Sequence, residues 1–317
     1  MPRRLLLLGA GGFLGRSIAH FVAGNGGAEL VLNHRSENQG SAFDDVFESY
    51  ALDLMTCRTG AIGEMVDRVA PDVVVNCAGL TVGQPDELRA ANVGLVIRLI
   101  DELEGRSDVH LVHIGSAAEY GIQGRDGPVP EYAFAAPGSA YGVTKLEATE
   151  RLTAAAAHDR ISVTVLRVFN PLGRFSSPST LPGNAALQIE AALRSGASSI
   201  NLGVLDSRRD YIDTRDVARA VLAAASTVRH TGSVLNVGRG EAVASRYLVE
   251  TLAAIAGFDG EIVETSERSI RSARVASLCA DIQAITGRLD WTPQYNIEDS
   301  LCELWNETTQ SREFASA

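Results

Sequence analysis

Short apolar runs alternate with longer stretches in which apolar residues recur at helical spacing, through the first half of the chain. The runs predict strands over 4–8, 29–32, 73–76, 110–114 and 162–167, a further short one just before residue 53, and a later one over 234–237. Between them the spacing predicts helices over 14–23, 60–69, 86–103, 141–157 and 213–225. Leu5 to Leu8 and Val73 to Val75 are apolar at every position, which predicts strands buried on both faces, as in a parallel sheet with crossover helices. After about residue 170 the regularity breaks at Pro171, Pro178 and Pro182, and short strands mix with helices. The expected division is a main domain over 1–170 and 211–238, with a smaller lobe over 171–210 and 239–317 above the open end of the sheet. No internal repeat is visible.

Gly9, Gly12 and Gly15 follow the first strand and open the first helix with the spacing G-x-x-G-x-x-G. Glycines there permit a tight turn and let backbone N–H groups approach a pyrophosphate, to which the helix N-terminus adds its dipole. The expected fold class is therefore α/β, a Rossmann-type doubly wound parallel sheet that binds a dinucleotide, with a smaller mixed α/β C-terminal lobe for the substrate. An NAD site places an acidic residue at the end of strand two to hold the ribose 2′-hydroxyl. This chain has Asn33-His34-Arg35-Ser36 instead, with an arginine where a 2′-phosphate would lie, so NADP(H) is the preferred cofactor and NAD(H) the alternative. Asp53-Leu54 is expected at the adenine, and Asn76-Cys77-Ala78-Gly79 beneath the nicotinamide half.

One lysine occurs in 317 residues, against 27 arginines, and it stands four positions after a tyrosine in Tyr141-Gly142-Val143-Thr144-Lys145. Positions i and i+4 share a helix face, so both side chains can enter one cleft. A phenol titrates near 10 when unperturbed, and an adjacent ammonium brings it toward the working range. Ser116, just after the strand over 110–114, is the third candidate, with its hydroxyl placed to hydrogen-bond a substrate oxygen.

A net charge of −11 argues against nucleic acid or an anionic membrane surface as partner. Cys57, Cys77, Cys279 and Cys302 lack metal-ligand or disulfide spacing, so no metal is expected, and buried free thiols in a reducing cytoplasm are the simplest account. Arg3-Arg4 before Leu5 to Leu8 imitates a short signal peptide, but glycines interrupt the stretch and no Ala-x-Ala follows. No run of about 20 apolar residues exists to span a membrane.

On these motifs the chain resembles, over nearly its whole length, the extended short-chain dehydrogenase/reductase family, in its nucleotide-sugar branch of NAD-dependent epimerases and dehydratases. Further marks are Tyr120-Gly121, Arg167-Val-Phe-Asn170-Pro171, Arg209-Asp-Tyr-Ile-Asp213 and Gly287-Arg-Leu-Asp-Trp291-Thr-Pro293. The resemblance implies an NAD(P)-dependent oxidoreductase in which hydride passes between nicotinamide and sugar C4. Tyr141 would transfer the proton, Lys145 would also hold the nicotinamide ribose, and Ser116 would orient the C4 oxygen. It adds Phe13, Leu14, Asn92 and Val168 to the cofactor site, and Thr81, Ala117, Asn170, Arg209 and Arg271 to the nucleotide-diphosphate sugar. It also implies a homodimer through a four-helix bundle built from the helices over 86–103 and 141–157. Sugar 4,6-dehydratases of the family carry Asp-Glu after the Ser/Thr, whereas this chain has Ala117-Ala118, so dehydration is not expected. A reductase must exchange its cofactor and draws on reduced NADP. The expected activity is thus NADPH-dependent reduction of the C4 ketone of an NDP-4-keto-6-deoxyhexose, dTDP-linked, in deoxysugar synthesis. The alternative is an NDP-sugar 4-epimerase holding NAD tightly.

Overall fold

The computed structural model describes residues 3–36, 46–121, 127–226, 232–265 and 277–313. The chain runs β1 (Arg4–Leu8), α1 (Phe13–Asn25), β2 (Glu29–His34), β3 (Glu48–Ala51), α2 (Ala61–Val69), β4 (Val73–Asn76) and α3 (Pro85–Arg89). A π-helical turn (Ala90–Gly94) joins α3 to α4 (Leu95–Leu103), and then come β5 (His110–Ser116), a 3₁₀ turn (Ala117–Glu119), α5 (Ala140–Ala157) and β6 (Ser162–Val168). The remainder is β7 (Asn170–Leu172), α6 (Leu181–Ser195), β8 (Ser199–Leu202), β9 (Arg208–Asp213), α7 (Thr214–Ser226) and β10 (Ser233–Val237). It closes with β11 (Ala242–Ala244), α8 (Ser245–Ala256), β12 (Glu261–Glu264), β13 (Ser277–Leu278), α9 (Gln283–Leu289) and α10 (Ile297–Glu313).

Seven strands, all parallel, lie in the spatial order β3-β2-β1-β4-β5-β6-β10. The order reverses between β1 and β4, which is where a doubly wound sheet opens a crevice beyond its carboxyl ends. Alternation along the strands divides the core in two. Leu5, Leu7, Leu32, Val75, Leu166 and Leu235 meet α1 and α7 on one face, while Leu6, Leu8, Val31, Val74, Leu111 and Val163 meet α2, α4 and α5 on the other. Every one of Leu5 to Leu8 is at most 1% exposed, and each contributes about 2 kcal/mol of apolar burial. The expected fold class is what the structure has.

A smaller assembly follows β6. β9 pairs with β7 and β13 in parallel and with β11 antiparallel, and β8 pairs with β12. Its own core gathers Leu172, Ile189, Leu202 and Tyr211 with Leu248, Leu252, Leu301 and Leu304. Ile285 and Trp291, far along the chain, pack instead into the first face of the large sheet. Trp291 Nε1 donates to the Asp216 carbonyl, and the Asp216 carboxylate accepts from the backbone of Gln294 and Tyr295, so the Trp291-Thr-Pro segment is clamped onto α7.

Two local expectations change. The strand over 110–114 continues to Ser116, because Gly115 and Ser116 keep pairing with Arg167 and Val168 of β6. The helix over 86–103 contains a π turn, a feature that apolar spacing does not encode, around a side chain described below. All four cysteines are free, but none is fully buried: Cys57, Cys77 and Cys279 are half-buried and Cys302 is exposed. Among the described residues no helix is long and apolar enough to cross a membrane.

Trp291 is 1% exposed, so Trp291→Ala should lower the free energy of unfolding by about 3–5 kcal/mol. Urea unfolding followed by circular dichroism checks this; a loss below about 1 kcal/mol would contradict the clamping role.

Candidate active site

The glycine turn leaves β1 with Gly9 at φ +76°, a conformation that glycine adopts without steric cost. A Cβ on Gly9 would lie 2.7 Å from the Ala78 nitrogen, and one on Gly15 would lie 2.2 Å from the Gly9 carbonyl oxygen. The missing side chains thus let the ends of β1 and β4 meet and let α1 start directly against the turn. Gly12 donates to the Gly9 carbonyl at 3.0 Å. Gly12 caps α1 with no side-chain hydrogen bond, and no acidic residue stands in the first turn. Orphan N–H groups and the positive end of the helix therefore face the crevice. This cradle fits the diphosphate of a nicotinamide dinucleotide. Phe13 and Leu14 form its first helical residues, both half-buried.

The end of β2 divides its roles. The Asn33 side chain is turned into the sheet, where its amide donates to the carbonyls of His34, Tyr50 and Leu52 and ties β2 to β3. The backbone carbonyl of Asn33 accepts from the Ala10 N–H in the glycine turn. His34 is buried, whereas Arg35 and Ser36 are exposed beyond the strand. Asp53 accepts from Met55 and shapes the turn after β3, and Leu54 is buried in the second face of the core. Cys77, Ala78 and Gly79 leave β4, with Gly79 at φ +153°.

Asn92 occupies the π turn. Its amide bonds both the N–H and the carbonyl of Leu80 at 2.9 Å and reaches Thr144 Oγ1 at 3.0 Å. A Cβ on Gly79 would lie 2.5 Å from Asn92 Oδ1. The side chain thus fastens the loop after β4, which carries exposed Thr81, to the start of α5. Val168 closes β6 at 4% exposure.

Ser139 caps α5 by accepting from Gly142. A Cβ on Gly142 would stand 2.5 Å from the Ala118 carbonyl oxygen, so the first turn of α5 abuts the 3₁₀ turn after β5. This contact sets the first turn of α5, which carries half-buried Tyr141, against the turn that follows Ser116. Ser116 Oγ accepts from Ala118 N–H at 3.2 Å, which leaves its own O–H proton to donate. One turn further on, Lys145 is 7% exposed and its Nζ donates to the Ile114 carbonyl at 2.6 Å. Burial lowers the proton affinity of Lys145, against the opposing pull of Glu119 and Cys77.

The first carboxylate after Ser116 is Glu119, and it faces the core, not the crevice. One oxygen accepts from Ser116 N–H at 2.8 Å and the other from Arg167 Nε at 2.7 Å. The pair is buried, with side chains 0% and 7% exposed. Arg167 also donates to the Glu131 carbonyl and lies over the Tyr120 ring. Tyr120 in turn bonds Asn236 at 2.6 Å. Ala117 is buried and Ala118 half-buried, so the turn offers the crevice no acid.

The substrate candidates are less tightly gathered. Asn170 donates through its side chain to the Asp210 carbonyl, and Arg209, 7% exposed, donates to the Arg208 carbonyl. Arg271 lies outside the described residues. Sequence reasoning missed His113, 1% exposed with its Nε2 3.4 Å from Lys145 Nζ, and the Glu119–Arg167 pair. Isolated polar residues in otherwise apolar strands were their only signal. Among the described residues no group of three or more His, Cys, Asp or Glu is arranged to hold a metal.

The model of the NAD dependent epimerase/dehydratase family matches residues 5–238. The chain belongs to this family, and with it to the extended short-chain dehydrogenases/reductases; it is an NAD(P)-dependent enzyme of sugar-nucleotide chemistry. It is 34% identical to a dTDP-6-deoxy-L-talose 4-dehydrogenase (NAD(P)(+)) of Kitasatospora kifunensis, covering 98% of this chain and 96% of that one. It is 29% identical to a GDP-6-deoxy-D-mannose reductase of Pseudomonas aeruginosa, covering 95% of each. A structure of RMD from Pseudomonas aeruginosa complexed with NADPH superposes with a TM-score of 0.82 at 25% identity, covering 98% of this chain and 99% of that one.

Glu119→Ala should destabilise the fold by about 3–5 kcal/mol, because it strands the Arg167 charge in the core. A Glu119→Leu/Arg167→Met double variant should recover most of that loss in the same urea titration. A double variant as unstable as the single one would show that the ion pair itself is not what Arg167 needs.

Proposed function

We propose that the chain is an NADPH-dependent 4-ketoreductase of a nucleotide-linked 4-keto-6-deoxyhexose, with dTDP as the nucleotide. The observation that carries the reading is the crevice end of β5. Ser116 ends β5, and the turn after it abuts the first turn of α5, which carries Tyr141 and then Lys145, while Glu119, the carboxylate of that turn, is locked onto Arg167. Such a site can move one proton at a carbonyl oxygen but lacks the acid and base that water elimination requires. The names of the similar dTDP-6-deoxy-L-talose 4-dehydrogenase and GDP-6-deoxy-D-mannose reductase support redox chemistry at a deoxysugar.

When bound, a reduced dinucleotide would supply hydride chemistry at sugar C4. Ser116 donates its O–H to the C4 oxygen and holds the carbonyl against the Tyr141 hydroxyl. Tyr141 gives that oxygen its proton, so the ketone becomes a hydroxyl, and the phenolate regains a proton from solvent. Lys145 sets the charge beside Tyr141 and binds the nicotinamide ribose. Gly9, Gly12 and Gly15 with the start of α1 take the dinucleotide diphosphate, and Arg35 takes the 2′-phosphate. Asn170 and Arg209 serve the diphosphate of the sugar nucleotide, for which arginine is suited because it stays charged and pairs bidentately. The assembly is a homodimer through the α3–α4 and α5 helices, which static light scattering at working concentration would refute by reporting 33.6 kDa.

With dTDP-4-keto-6-deoxyglucose, NADPH oxidation should be stoichiometric with a 4-hydroxy product. Interconversion of 4-hydroxy NDP-sugars without added cofactor would instead make the chain an epimerase. Tyr141→Phe should cut kcat by about 10²–10⁴ while dinucleotide binding persists; unchanged turnover removes the assigned proton transfer. Arg35→Ala should raise KM for NADPH about tenfold relative to NADH, the size of one lost charged contact.

A further inference from the structure

The smaller sheet is docked onto the large one at a buried carboxylate. Asp210, in the middle of β9, is 0% exposed. Its Oδ1 accepts from the Arg239 N–H at 2.7 Å, and its Oδ2 from the N–H groups of Gly240 at 2.9 Å and Ala280 at 3.0 Å. Arg239 and Gly240 follow β10, the edge strand of the large sheet, and Ala280 follows β13. The approach is close: a Cβ on Gly238 would lie 2.8 Å from Asp210 Oδ2 and 2.5 Å from the Ala280 Cβ. Two separate segments thus turn three backbone donors onto one side chain.

Among the described residues no ion pair reaches Asp210. Arg208, on the same face of β9, donates to the Ala242 carbonyl, and the Arg239 guanidinium donates to the Tyr295 carbonyl and approaches Glu241. The Cys279 thiol lies 3.9 Å from the carboxylate. Burial pushes the Asp210 carboxyl up from the ordinary 3.8 to about 6, against the pull of the three N–H groups and the thiol. The folded chain therefore holds this proton more tightly than the open chain does. The stability that goes with it is present below the ordinary value and is lost as the pH rises through about 6. At neutral pH the ionised group thus serves the geometry of the joint more than its strength.

That geometry bears on two side chains. The Asp210 carbonyl accepts from the Asn170 amide at 2.8 Å. Arg209 precedes Asp210 in β9 and, because side chains alternate along a strand, projects from the opposite face. The chain leading to Asn170 is tied to the same end of β10, since Phe169 N–H donates to the Val237 carbonyl at 2.9 Å. We propose that Asp210 is a positioning residue for the sugar nucleotide: by docking β9 onto the end of β10, it fixes Asn170 and Arg209, the side chains assigned to the sugar-nucleotide diphosphate, relative to the dinucleotide sheet. The inference rests on the assignment of those two side chains to the diphosphate, and needs no particular reaction at the sugar.

Asp210→Asn keeps the shape of the side chain but replaces one acceptor oxygen by an NH₂, which cannot accept from an N–H. By titration calorimetry on the full chain, its Kd for dTDP-glucose should rise about tenfold, while its Kd for NADPH changes by less than about twofold. In ketone reduction the loss should fall on KM for the sugar nucleotide and leave kcat within about twofold. An unchanged Kd for dTDP-glucose, or an equal loss for NADPH, overturns the proposal. A second measurement uses the unmodified protein and decides if Asp210→Asn does not fold. Coupling is reciprocal, so a ligand that needs the joint closed must hold it closed. Saturating dTDP-glucose should slow amide exchange at Arg239, Gly240 and Ala280 about tenfold more than at Val74 and Val75 in β4; equal slowing overturns the proposal. If dTDP-glucose, UDP-glucose and GDP-mannose all fail to bind the unmodified protein, the diphosphate assignment falls and the proposal with it. Binding without reduction of a 4-keto sugar removes only the ketoreductase reading.

Discussion

Burial of the Arg167 guanidinium beneath the crevice constrains everything built above it. A charge at that depth demands a carboxylate, and Glu119 supplies it from the turn that carries Ser116. The same carboxylate holds the Ser116 backbone, so neutralising β6 and aiming the end of β5 are one interaction. Tyr120 lies against Arg167 and bonds Asn236 on β10, extending the network across the sheet edge. The Asn236 side chain then reaches Val129 and Asp281, which ties the loop before α5 and the later chain to the same centre. The outcome is a stiff platform under a polar crevice, of the kind that proton transfer between fixed partners requires.

The turn after β5 also shows how a carboxylate can be near a crevice without serving it. Ala117 and Ala118 follow Ser116, and the next residue capable of acid chemistry points inward. A carboxylate in the correct stretch of sequence is thus withdrawn from the crevice by a stronger claim from below. Proximity along the chain and availability at a site are different properties, and here the Arg167 partner decides between them.

Most of the architecture was legible because its signals are local. The leucine run of β1, the valines of β4 and the Gly9–Gly12–Gly15 spacing each report on neighbouring residues, and the single lysine four positions past Tyr141 lies within one helical turn. What stayed hidden depends on register between strands. His113 reads as a stray polar residue in an apolar run until β4 and β5 are laid side by side and it stands opposite Asn76. Asn33 was legible as a residue at the end of β2, but its side chain is consumed by backbone carbonyls. The π turn at Ala90–Gly94 widens a single turn within a longer helical stretch, a local change that a reading of apolar spacing over 86–103 passes over.

The position of β10 in the sheet has a consequence for synthesis. β6 ends at Val168, yet the strand that covers its outer edge does not begin until Ser233. In between, the ribosome must produce β7, α6, β8, β9 and α7. During that interval the nascent sheet presents an apolar strand, Ser162–Val168, with one row of backbone groups unpaired, the template on which a second chain pairs most readily. At about 5–20 residues per second the exposure lasts several seconds. Yield at high expression should therefore be governed by how well chaperones shelter this edge, independently of how stable the finished molecule is.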